Sequence, residues 1–150
     1  METFFSEYLT NLQEIHQEMR TAIHGLPAEA LDWTPAPEMN SPAVLVVHSL
    51  GAERYWIGEV VAGIASLRDR EAEFLVRDQA EAELISRLDE IEAFHQQALS
   101  AITLTSLGEA RLSPRNNRQV TVAWALSHAL KHTSLHAGHL QVTVQLWKAR

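Results

Sequence analysis

The chain is 150 residues long, enough for one domain with a core of its own and short for two. Hydrophobic residues make up 46% and charged residues 21%, the balance of an ordinary globular protein, and no apolar run approaches the ~18 residues of a membrane span. A formal net charge of −7, with basic residues clustered only briefly at Arg68/Arg70 and Arg115/Arg118, excludes the extended basic face that nucleic acid requires. Cysteine is absent, which excludes disulfides, thiolate ligands and a cysteine nucleophile. Any metal must be held by His, Asp or Glu, and any reacting thiol must arrive on a small-molecule partner. The first residues lack the basic and apolar regions of a secretory signal, so a cytoplasmic location is expected.

From Thr3 to His24, apolar residues recur at Phe5, Tyr8, Leu9, Leu12, Ile15, Met19 and Ile23, the spacing of a first helix. Residues 25–40 hold three of the five prolines and read as an ordered connector anchored by Leu31 and Trp33. Ser41-Pro42 supplies an N-cap and a proline at the first helical position, so a second helix runs from there to about Val61 and stops near Gly63. The charge-rich stretch 65–79 reads as an exposed crossing segment with Phe74 as its anchor. A third helix, about Glu81 to Ile102, aligns Leu84, Leu88, Ile91, His95 and Ala98 on one stripe. Residues 103–118 read as a loop. A fourth helix runs from Val120 to Trp147 with Lys131 as its one fixed charge, which predicts the most buried helix of the set. Four long helices without a strand signal predict an all-α four-helix bundle with a long crossing connection between the second and third.

The fourth helix carries His128, His132, His136 and His139. At about 100° per residue these fall at about 0°, 40°, 80° and 20°, all on one face. Imidazoles one turn apart can both point a nitrogen at a single ion. A further ligand must come from elsewhere, and His48, set in the apolar run Val44-Leu-Val-Val-His48-Ser-Leu, is the leading candidate because a buried imidazole needs a partner. The same pattern also fits histidines satisfied by carbonyls or carboxylates in a polar core. His16 and His24 read as surface or edge residues, and His95 as a weaker fourth ligand. Glu53 lies about 140° around the helix from His48, which fits a salt bridge or cap, whereas Tyr55 lies about 20° off the His48 face and could line a pocket above an ion. Trp56 and Trp124 read as core.

At these residues the chain resembles the DinB-like superfamily of helical bundles, which includes YfiT-like metal-dependent hydrolases and the bacillithiol and mycothiol S-transferases. The resemblance covers essentially the whole chain. It rests on Leu31-Asp-Trp-Thr-Pro-Ala-Pro before Asn40-Ser-Pro, on His48-Ser-Leu-Gly-Ala-Glu-Arg-Tyr-Trp56, and on His128-x3-His132-x3-His136-Ala-Gly-His139-Leu-Gln. It implies a DinB/YfiT-like bundle whose divalent metal is held by one histidine of the second helix and two of the last, which by motif position are His48, His132 and His136. Two departures stand out. Ala137-Gly138-His139 replaces the Arg-Gly-Gln of many relatives, and His132 stands where the mycothiol branch often has a glutamate, which argues against mycothiol as the specific thiol.

Three neutral imidazoles would leave an ion's charge uncompensated and coordination positions open, the pattern of a catalytic site. Zinc or nickel is favoured, with iron and manganese as further options. The resemblance therefore implies a metal-dependent transferase of a low-molecular-weight thiol, or a hydrolase, acting on a small electrophile, with Tyr55, His128 and His139 as the polar groups for catalysis. The alternative is a non-catalytic, stress-related binding module or homodimer with a structural or vestigial metal site. Iron-dependent oxygen chemistry, as in bundles attached to sulfoxide synthases, ranks lowest. Neither nucleic acid nor membrane is an expected partner.

Overall fold

In a computed structural model describing residues 1–150, α1 spans Thr3–Ile23 and buries Phe5, Leu9, Leu12, His16, Met19 and Ile23 along one face. Gly25, at φ 70°, turns the chain away where a side chain would be strained. The connector contains a short helix, α2 (Ala28–Asp32), that buries Leu31. Trp33 beyond it meets the edge of Trp147, with ring centroids 5.7 Å apart.

The second long helix has two parts. Its α-helical half, α3 (Pro42–Glu53), starts as its sequence dictates: the Ser41 hydroxyl accepts from the Val44 N–H and Pro42 occupies the first turn. From Arg54 to Val61 the helix loosens to π geometry, and the Ala62 N–H donates to the Ile57 carbonyl five residues back. Within this stretch Gly58 lies against Phe94 of the next long helix, where a Cβ would fall 2.5 Å from the ring. The crossing segment carries the short α4 (Arg70–Glu73), capped by the Asp69 side chain. Then comes α5 (Glu81–Leu99), begun by the Glu83 carboxylate accepting from the Ala80 N–H at 2.7 Å.

Residues 103–118 are not simply a loop. After a 3₁₀ turn at Leu104–Gly108 they form a hairpin, β1 (Ala110–Ser113) paired antiparallel with β2 (Arg118–Thr121). The strands have four residues each and bury only Ser113 and Val120, too little alternation to stand out in sequence. The hairpin takes Val120 and Thr121, so α6 (Val122–Lys148) begins two residues late, with the Thr121 hydroxyl accepting from the Trp124 N–H.

The bundle consists of α1, α3 with its π extension, α5 and α6. One core cluster takes Phe5 to Leu12, Tyr55 to Val61, Ala98 and Leu99, and Val122 to Ala129; the other takes Met19 and Ile23, Ala43 to Leu50, Leu84 to Ile91, and Ala137 to Val144. Along α1 and α6 the first cluster precedes the second, and along α3 and α5 the order is reversed. Consecutive α3 and α5 therefore run in the same direction, which is why a crossing segment must carry the chain back between them. α6 is not the most buried helix. It buries nine of its 27 residues and exposes Leu135, Val142 and Leu146, whereas α3 buries ten of 12.

Between the two apolar clusters each long helix contributes a polar residue: His16, Glu53, His95 and Thr133, all at most 1% exposed. The reading of His16 as an edge residue is thus corrected, because the apolar spacing of α1 continues through it. The Glu53 carboxylate accepts from His16 Nε2 at 3.1 Å and from the Thr133 hydroxyl at 2.6 Å, and His95 Nε2 lies 3.4 Å away. His16 Nδ1 reaches Glu92, which Arg20 holds at 2.8 Å. Burial pushes the Glu53 carboxyl up, but His16, His95 and Thr133 outweigh it and hold the group ionised, below its usual range. Glu53 therefore makes the salt bridge its position suggests, and it ties all four helices together at the level of the histidines on α6.

Candidate metal centre

His48 lies at mid-α3 facing α6, where His132 and His136 stand one turn apart. The His48 ring centroid is 4.9 Å from that of His132 and 5.0 Å from that of His136, and the latter two are 4.4 Å apart. One nitrogen from each ring lies within 4.8 Å of the other two. Nitrogens around a tetrahedral zinc, at ~2.0–2.1 Å from the ion, sit about 3.4 Å apart. The trio is wider than that spacing and brings together the three nitrogens that a shared ion needs.

Electrostatics leaves the trio suited to a cation. Burial, reinforced by the neighbouring imidazoles, depresses His132 to about 3 and His136 to about 4, so both are neutral near pH 7 with a lone pair to give. His132 Nδ1 is buried without a hydrogen-bond partner. An unpartnered ring nitrogen in a set of three imidazoles, with no carboxylate ligand between them, fits a borderline-soft divalent transition metal better than calcium or magnesium.

The fourth face of His48 was not legible in sequence. Its Nδ1 lies 2.8 Å from Glu73 Oε2, and Arg68 holds the same carboxylate through Nε at 2.6 Å and Nη2 at 2.9 Å. The Phe74 ring packs on the imidazole at 4.7 Å. Burial raises the Glu73 carboxyl, but Arg68 and His48 more than offset this and keep it ionised. The crossing segment is therefore not simply an exposed charge run, since its Glu73 and the Arg68 side chain are both buried. Gly51, one turn past His48, was the available signal. A Cβ there would meet Glu73 Oε1 at 2.0 Å, and a glycine inside a helix costs stability that a packing reason can explain.

The other candidate residues have different partners. His128 stacks on Trp124 at 4.7 Å and meets the edge of Trp56 at 4.8 Å, one turn from His132. Burial, with Lys131 and Arg118 nearby, lowers its pKa. His139 is exposed, with its Nδ1 3.5 Å from that of His136. Tyr55 is buried, and its hydroxyl joins the Ser113 hydroxyl at 2.7 Å while accepting from the Arg115 N–H, tying the hairpin to the π-helical stretch. His95 is buried with its Nε2 3.4 Å from Glu53 and without a hydrogen-bond partner, and His24 is exposed beside Glu81. Trp56 and Trp124 are half-buried and pack against the first core cluster.

No helix is long and apolar enough to cross a membrane. A family model described as mycothiol-S-transferase matches residues 8–146. No curated protein matches the chain in sequence. Solved structures share the fold at low identity. A DinB-like protein from Bacillus cereus aligns with TM-score 0.76 and 15% identity over 94% of this chain and 91% of its own. A conserved protein from Enterococcus faecalis aligns with TM-score 0.74 and 16% identity over 100% and 99%. YfiT from Bacillus subtilis, described as a probable metal-dependent hydrolase with an unusual four-helix bundle topology, aligns with TM-score 0.71 and 16% identity over 99% and 90%.

Proposed function

Because the chain belongs to the DinB-like mycothiol-S-transferase family, we propose that it is a metal-dependent enzyme that transfers a low-molecular-weight thiol to a small electrophile. The observation that carries this reading is the convergence of His48, His132 and His136, with His132 and His136 held neutral by burial. In this reading the three imidazoles hold one divalent transition metal, with zinc or nickel favoured. Such an ion supplies Lewis acidity that lowers the pKa of a thiol or of water presented to it.

The chain's own residues account for the rest. With no cysteine to act as nucleophile, the sulfur comes from the cosubstrate. His128 and His139 flank the trio on the same helix and are the groups placed to move protons at its two ends, His128 through an imidazole kept neutral by its surroundings. Trp56 and Trp124, half-buried against His128, offer an apolar wall for the electrophile. Tyr55 borders the cleft of Arg68, Arg70 and Arg115, and its hydroxyl would act there only after releasing Ser113.

Hydrolysis is the second reading, favoured by the likeness to YfiT and by the same ligands serving water as well as a thiol. The match to a mycothiol-S-transferase model, set against the histidine at 132, makes the identity of the thiol the point to test. Zinc- or nickel-loaded protein should accelerate conjugation of mycothiol, bacillithiol or another small thiol to an alkylating bimane, and chelation should abolish it. Acceleration of ester or amide hydrolysis alone would select the second reading. Acceleration of neither reaction would refute an enzymatic role for the site.

A further inference from the structure

The crossing segment places two side chains against His48 that have no part in the core. Glu73 Oε2 lies 2.8 Å from Nδ1, and the neighbouring Phe74 ring packs 4.7 Å from the imidazole centroid. Glu73 is fixed in turn by Arg68, whose Nε and Nη2 grip both carboxylate oxygens. Both side chains of this pair are about nine-tenths buried, at 8% exposure each, so the pair is screened from water and its geometry is held by packing. The space it occupies exists because position 51 is glycine: a Cβ there would come within 2.0 Å of Glu73 Oε1.

An ionised carboxylate only accepts hydrogen bonds, so the proton of a neutral His48 must sit on Nδ1, and the lone pair must sit on Nε2. Arg68 Nη2, 3.5 Å from Nδ1, is also a donor and cannot replace Glu73 as the acceptor. Metal-ligating histidines commonly give their second N–H to a carboxylate, which fixes tautomer and ring plane and raises ligand basicity.

We infer that Glu73, clamped by Arg68 and admitted by Gly51, is the positioning residue of the metal centre: it selects the Nδ1–H tautomer of His48 and so commits His48 to bind through Nε2. This inference rests on the metal-site reading above. It assigns a role to the charged crossing segment. The segment that carries the chain between the two parallel helices also sets the one ligand that α6 does not supply. His132 and His136 come from a single helix, and the third ligand reaches them only if its ring is turned correctly.

The test uses the full-length protein, as wild type, Glu73→Ala, Glu73→Gln and Gly51→Ala. In metal-free protein, long-range ¹⁵N–¹H correlations of the His48 ring report its tautomer, and competition against a chromophoric chelator reports zinc affinity. Wild type should show the Nδ1–H form and bind one zinc. Glu73→Ala should lose the tautomer preference and weaken zinc binding by roughly 10–100-fold, with helical circular dichroism unchanged. Glu73→Gln, which keeps a neutral acceptor, should keep the tautomer and lose less affinity. Gly51→Ala keeps the carboxylate but pushes it off Nδ1, and it favours helix, so it should reproduce the Glu73→Ala loss even if that variant fails to fold. Wild-type tautomer and affinity in Gly51→Ala, or in a folded Glu73→Ala, would overturn the inference. Failure of wild type to bind zinc would instead count against the metal-site reading, and the tautomer result would still decide whether Glu73 sets His48.

Discussion

Glu53→Ala offers the sharpest test of how the bundle is held around its histidines. The substitution removes the acceptor shared by His16 Nε2 and the Thr133 hydroxyl and the carboxylate that stands 3.4 Å from His95 Nε2, in a layer where none of the four residues is more than 1% exposed. Breaking a buried pair by removing one partner costs about 3–5 kcal/mol, because the remaining group stays buried without compensation. For a chain of this length each kcal/mol moves Tm by about 2–4 °C, so the variant should melt about 6–20 °C lower. Melts should be followed by circular dichroism on metal-free protein, so that ion binding does not mask the change. The difference also depends on pH in a stated direction. His16 has a raised pKa, with burial opposed and outweighed by Glu53 and Glu92; its stabilisation is full below 6.5 and is lost as pH rises through its raised value. Glu53 has a lowered pKa; its stabilisation is full above 4.5 and is lost as pH falls through its lowered value. The gap between wild type and variant should therefore be widest between pH 4.5 and 6.5 and shrink on either side. A loss below about 1 kcal/mol, or a gap that does not vary with pH, would refute the assignment of this network as the bundle's polar tie.

Other substitutions separate packing from chemistry. Gly58→Ala sets a methyl against Phe94 and should destabilise by about 1–3 kcal/mol in urea unfolding, since an overpacked contact must be relieved by shifting the ring. Ser113→Ala removes the Tyr55 hydroxyl's buried partner and should cost about 1 kcal/mol while leaving zinc affinity unchanged. His128→Ala should keep stoichiometric metal, because His128 packs on Trp124 rather than joining the trio, but should lower turnover in any thiol-transfer assay.

The parts of this protein that were legible in sequence are those written in local periodicity. The four long helices, the Ser41-Pro42 helix start and the shared face of the α6 histidines all follow from spacing within one segment. His48 was legible because an imidazole in an unbroken apolar run demands a partner. The hairpin at 110–121 was missed because its strands are too short to alternate. The π-helical stretch was missed because apolar spacing does not separate it from α-helix, and the close approach of its Gly58 to Phe94 joins helices far apart in sequence. His16 looked peripheral because the carboxylates that pay for its burial, Glu53 and Glu92, lie 37 and 76 residues away. Glu73 and its partner Arg68 were hidden in a run of charges that reads as solvated, and only Gly51 hinted that something approaches α3 there.

The central claim is that His48, His132 and His136 hold one metal ion, and metal content tests it most directly. Protein purified without a histidine tag should carry, or take up from zinc or nickel, one equivalent of metal by elemental analysis, and His48→Ala, His132→Ala and His136→Ala should each lose it while remaining helical. Stoichiometric metal retained in all three variants, or none bound by wild type after incubation with zinc, nickel, iron(II) and manganese, would contradict the account.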